Sequence, residues 1–143
     1  MMIHRRDERG AATLELVIVV PALVIMLGLL IAGGRLWFAK STVSGAAQSA
    51  ARAASLERES GSAREAGVDA ARASLDTGGL ACGARNVSVD TSGFAVDVGR
   101  PATVRATVSC AVSFGDILLP GTPGSITVTR TAASALDTYR TRS

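Results

Sequence analysis

Aromatic side chains are scarce in this 143-residue chain: one Trp, one Tyr and three Phe make up 3% of it. Ligand pockets are lined largely by such groups, so neither a large core nor an aromatic-walled cavity is expected. Histidine is nearly absent too, since His4 is the single one. With two cysteines and that one distant imidazole, a tetrahedral zinc set cannot be assembled. No Ser-His-Asp combination, phosphate-cradling glycine loop or close acid pair is present. The expectation is a chain that is not an enzyme and takes no cofactor, metal or small-molecule substrate. Lys40 is the only lysine, and the net charge of +3 rests on arginine. Beyond residue 40 those arginines alternate with acids, as in Glu57-Arg58-Glu59 and Arg64-Glu65. That is a solvated helix face, not a stripe that tracks phosphates, so nucleic acid is not an expected partner.

What the chain does have is one long uncharged run. Leu16 to Gly34 is nineteen residues without a charge. As a helix it spans about 28 Å, close to the hydrocarbon thickness of a bilayer. Trp37 and Phe38 follow where rings settle at a membrane interface, and Lys40 marks the return to water. Pro21 removes one backbone hydrogen bond inside the run, which membrane helices tolerate. Arg5, Arg6 and Arg9 precede the span, and Arg35 and Lys40 follow it. That majority, with the short basic leader, puts the N-terminus in the cytoplasm and the C-terminal part outside the cytoplasmic membrane. A cleavable secretory signal is the competing reading, with Ala32-Gly33-Gly34 offering small residues for a cut before Arg35. Its apolar region would normally be shorter.

Ahead of the span stands Gly10-Ala11-Ala12-Thr13-Leu14-Glu15. A carboxylate is costly near hydrocarbon, so an isolated one at this depth is a candidate functional group. The bland alternative is that Glu15 sits among the headgroups and favours the positive end of the helix dipole. Cleavage after Gly10 would make Ala11 the new N-terminus, one helical turn from Glu15 and on the same face. The freed ammonium and the carboxylate would then neutralise one another, within a chain or between neighbours, and set axial register during assembly.

This arrangement resembles the processing site of type IV prepilins and pseudopilins. The N-terminal half is more specifically similar to the TadE-like family of Tad pilus systems. The matching residues are Gly10 to Glu15, Val20-Pro21 within the span, Gly34-Arg35-Leu36-Trp37 at its exit, and the Ala/Arg-rich stretch Ala46 to Ala54. Members of that family often carry an acid just before the exit Gly-Arg, where this chain has Ala32-Gly33. The resemblance implies a minor, pilin-like assembly component processed by a prepilin peptidase. Its partners would be membrane lipid, other pilin-like subunits and the Tad assembly platform.

The rest of the chain is expected to form a helix and then a sheet. From Ser41 to about Leu75, Val43, Ala46, Ala47, Ala50, Ala53, Ala54 and Leu56 recur at helical spacing, with a break expected at Ser60-Gly61-Ser62. Val68, Ala71 and Leu75 continue a weaker stripe. The small residues of the first stripe would allow a neighbouring helix to approach closely, as in a bundle of like subunits; the alternative is that Ala is simply the best helix former. After Thr77-Gly78-Gly79 the pattern changes to alternation. Four strands are expected: around Val87 and Val89; Phe94, Val96 and Val98; Val104 to Phe114; and, after a loop with Pro120 and Pro123, Ile126 and Val128. One apolar sheet face needs a cover, which the preceding helix can supply. Cys82 and Cys110 are expected to form a disulfide in an oxidising compartment, two buried thiols being the alternative.

The expected fold is therefore α+β, a transmembrane helix continuing into an extracytoplasmic helix on a small antiparallel sheet, the broad plan of pilin-like proteins. Residues 1–10 would be a leader, 11–40 the membrane helix and interface, 41–76 the outer helical segment and 77–143 the β domain. The expected function is a pseudopilin-like component of a Tad pilus or related secretion apparatus. The competing function is an anchored or secreted adhesion or accessory module without such processing.

Overall fold

The computed structural model of the protein describes residues 8–115 and 124–141, with side chains from Glu15 onward. One helix, α1, runs without interruption from Glu8 to Leu56, 49 residues and about 73 Å long. Pro21 lies within it. Glu57 and Arg58 turn the chain, and Glu59, in extended conformation, is the N-cap of α2 (Ser60–Thr77). The break thus falls ahead of the expected Ser60-Gly61-Ser62, which forms the first turn of α2 instead. First-turn amides have no partner within a helix, so Ser and Gly are tolerated there. Thr77-Gly78-Gly79 ends α2 as expected, with Gly79 at φ +66°.

Among the described residues three strands follow, where four were expected: β1 (Cys82–Asp90), β2 (Ala102–Ser113) and β3 (Ser125–Leu136), in an antiparallel meander ordered β1-β2-β3. The strand expected over Phe94, Val96 and Val98 is a 3-10 turn, Ser92–Ala95, followed by irregular chain. Phe94 drops into the core while Val98 stays exposed. A side chain on Gly93 would collide with the Thr103 carbonyl, so the turn is pressed against the start of β2 and cannot open into a strand. The strand at Ile126 and Val128 does form, but it reaches Leu136, well past its β-branched residues. Its second half, Ala132 to Ala135, pairs in unbroken register with Arg105–Thr103 and their neighbours, so tertiary pairing overrides weak strand propensity. The loop carrying Pro120 and Pro123 and the leader up to Asp7 lie outside the described residues.

The sheet and the two helices form two layers around one core. Ala39, Val43, Ala46, Ala47, Ala50, Ala51 and Ala54 of α1 are buried against Ala63, Ala71 and Leu75 of α2 and against Val104, Ala106, Val108 and Val128 of the sheet. The alanines serve close approach. A Cβ on Gly67 would meet Val89 Cγ2 at 2.9 Å, the Ala50 carbonyl at 3.2 Å and Ala54 Cβ at 3.4 Å, so α1, α2 and β1 converge there. The small stripe of α1 is therefore covered by the chain's own domain. Another helix does approach the stripe closely, as expected, but it is α2 of the same chain and not a helix of a like subunit.

A candidate membrane and assembly helix

The two ends of α1 live in different surroundings. Ala39 is the first fully buried residue, and from there to Ala54 the helix is half embedded in the domain. Ahead of it, from Glu15 to Phe38, only Gly28, Ala32 and Leu36 are even half-buried. Leu16 is 62% exposed, Leu30 65% and Trp37 73%. This segment has a mean hydropathy of 2.9 over its most apolar stretch and is long enough to cross a membrane. A continuous apolar band of this size far exceeds what a monomer normally shows to water. Lipid is the solvent that matches its length and composition.

Gly10 and Ala11 lie in the first turns of α1. Glu15 is exposed and one turn beyond Ala11, so the two share a face of the same helix. Just past the band the helix meets the base of the domain. Arg35 and Phe38 line an open cleft of about 520 Å³ with Leu80, Ala81, Val112 and Ser113. Among these lining residues Arg35 is the one charged group.

Cys82 and Cys110 are joined in a disulfide with their Cα atoms 5.3 Å apart. The pairing depends on an irregularity in β1. Cys82 stands opposite Val112, but by Arg85 the partner is Cys110, so the chain at Gly83 and Ala84 bulges and brings Cys82 across. Cys110 is buried in the core. Closing a loop of 28 residues restricts the unfolded chain and is worth about 3.5 kcal/mol.

Among the described residues, no three His, Cys, Asp or Glu side chains are grouped so as to hold a metal. The one buried polar side chain described, Thr91, is engaged by Arg64 at 3.3 Å. The Arg85–Asp76 ion pair, at 2.8 Å, ties β1 to the end of α2 and had no signal in the sequence, its partners being nine residues apart across a turn. Asp90 accepts the backbone N–H of Ser92 at 3.0 Å. That hydrogen bond, helped by the Ser92 side chain and by the charge of Arg105, holds its carboxyl below the usual carboxylate value.

Residues 10–52 match the family described as TadE-like protein. The matched residues lie wholly within α1. They include Gly10, Ala11, Glu15, the apolar band and most of the alanine stripe, while α2 and the sheet lie outside the match. No curated protein and no solved structure matches this chain significantly.

Proposed function

We propose that this protein is a pseudopilin-like component of a Tad-type pilus or related secretion apparatus, held in the cytoplasmic membrane by the apolar half of α1. The observation that carries the reading is the coincidence of three features on one uninterrupted helix. Gly10 and Glu15 stand at its start, an unburied apolar band follows, and the TadE-like match covers that same element. The small disulfide-linked domain behind Phe38 is then extracytoplasmic, and the short basic leader cytoplasmic. Cleavage between Gly10 and Ala11 by a prepilin peptidase would free an ammonium one turn from Glu15. In the low dielectric of the membrane edge, that pair would set the axial register of neighbouring subunits. The protein itself contributes no catalysis on this reading. Its partners are lipid, the peptidase, other pilin-like subunits and the assembly platform.

The N-terminal residue and intact mass of the protein from native membranes test this directly. A chain beginning at Ala11, and lighter by the hydrogens that a disulfide removes, is the expected result. A chain that keeps its leader would sink the processed-pilin reading and leave an anchored accessory module. A chain beginning at Arg35 would remove the anchor as well. For the register role, Glu15→Ala is expected to insert normally but to lose filament or secretion output, and unchanged output would refute that role.

A further inference from the structure

The direction of β3 relative to the membrane follows from its two ends. At its start, Ser125 and Ile126 pair with Ser113 and Val112, which share the basal cleft with Arg35 and Phe38. Near its end, the Ser134 hydroxyl bonds that of Ser55 at 2.9 Å, and Arg140 reaches the Leu56 carbonyl at 3.4 Å. From Phe38 to Ser55 the helix climbs about 26 Å, and from Ile126 to Ser134 the strand climbs about 27 Å. The strand therefore runs alongside α1 and in the same sense. Because β1 and β3 are both antiparallel to β2, β1 runs that way too.

β3 is also an edge with little defence. It has twelve residues without proline, its pairing to β2 shows no bulge, and its one charge is Arg130. Edges of this kind are open to strand addition. Arg130 is on the helix side of the sheet, level with Val108, yet it stays exposed. Its guanidinium donates to the neighbouring Thr129 carbonyl at 3.1 Å, and no carboxylate lies against it among the described residues.

We propose that the β3 edge takes the β1 edge of a second copy of this chain, joining neighbouring domains into one continuous sheet. The inference rests on the reading that all copies are anchored in one membrane with the same orientation. Under that constraint antiparallel pairing is impossible, because it would point the two anchors in opposite directions. A parallel β3–β3 contact requires one copy to be turned half a circle about the strand direction, so at equal depth each outward N–H would face the same N–H of the other copy and the helix layers would fall on opposite faces. A parallel β3–β1 contact avoids both problems. At equal depth Val128–Ala133 would face Arg85–Asp90, the stretch of β1 beyond its bulge. Arg130 then faces Val87, one same-side position, or about 6.8 Å, from Arg85 and its bound Asp76. Asp76 remains 67% exposed, and its carboxylate has room to accept from both guanidinia. The contact is head-to-tail, so it generates rings or filaments, not closed pairs.

Cysteine cross-linking of the full chain in native membranes tests the proposal. Ser88 and Thr131 both stand opposite Thr107, two strand spacings or about 9.6 Å apart within one chain, too far for an internal disulfide. Across the proposed junction they are neighbours. A chain carrying Ser88→Cys and Thr131→Cys is expected to give a ladder of dimer, trimer and higher species on mild oxidation. Thr129→Cys or Ala133→Cys in place of Thr131→Cys covers a two-residue stagger. Arg130→Glu should lower the cross-linked yield about tenfold, and Arg130→Glu with Asp76→Arg should restore it. An unchanged melting temperature and an intact Cys82–Cys110 bond confirm that each variant is folded. Dimers from Thr131→Cys alone would show a β3–β3 contact and overturn the proposal. So would the absence of cross-links from all three pairs. The N-terminus determined on the same sample separates the two readings. Missing cross-links on chains beginning at Ala11 reject the junction alone, and a ladder on chains retaining the leader rejects the processing alone.

Discussion

The two halves of α1 are one helix in two surroundings: the protein leaves the first bare and packs the second into its domain. From Leu16 to Phe38 large side chains point outward and none is buried, whereas from Ala39 to Ala54 small side chains point inward and are fully covered. The contrast shows that side-chain size was chosen for the distance to the neighbour. Bulk in the first half meets no complementary surface of the chain, since the domain leaves Leu16 to Phe38 uncovered. In the second half α2 and the sheet press on the helix from within the same chain, and the buried positions hold only Ala and Val. The family match extends across this boundary but stops short of the partners that make the second half close-packed.

The largest effect that would break the contrast is loss of the disulfide. Replacing Cys82 and Cys110 together by Ser should cost the domain behind Phe38 about 3.5 kcal/mol and leave membrane insertion untouched. Melting of the protein in detergent, beside a membrane-integration assay, would measure both. Next comes a matched pair of leucines. Leu75→Ala, in the core under α1, should lower domain stability by about 3 kcal/mol. Leu23→Ala, 53% exposed in the band, should leave the same melt unmoved. If both shifted it equally, the band would be packed against protein and the two halves would not differ as described.

Gly67→Ala sharpens the comparison further. Its Cβ meets the Ala50 carbonyl and the Val89 side chain, so a destabilisation of about 2 kcal/mol is expected in a chemical denaturation series. Gly33→Ala, where an added Cβ meets nothing, should be silent in that series. The smallest effect is electrostatic. Asp90 has a lowered carboxyl pKa in the folded state. Its contribution is therefore complete above about pH 4, where the unfolded carboxylate ionises, and is lost as pH falls through the lowered folded value. Asp90→Asn should flatten the acid limb of a stability–pH profile, lowering stability slightly at neutral pH and matching the parent at low pH, where the carboxyl is protonated.

Much of this could be read from the residues because its causes are local. An uncharged run of nineteen residues is a membrane-length helix wherever it is placed, and alternation from Val104 to Phe114 is a half-buried strand in almost any sheet. The disulfide could be anticipated because two cysteines and one distant histidine make no zinc site, although two buried thiols fitted the sequence as well. The turn at Phe94 was not legible. Alternating Phe94, Val96 and Val98 satisfies a strand pattern, and only the contact of Gly93 with the Thr103 backbone forbids it. The far half of β3 was hidden for the opposite reason, since Ala132 to Ala135 has weak strand preference and is held extended by its register with β2.

The sequence by itself determined the apolar band, the Gly10–Glu15 spacing, the helix-then-sheet order and the pattern of the central strand. These depend on composition and period along a few consecutive turns or residues. The tertiary structure alone decided that the sheet has three strands, that the alanine stripe faces its own domain, and that β3 climbs beside α1 with Arg130 at an open edge. Those outcomes depend on which surfaces meet across long stretches of chain, and no local pattern carries that information.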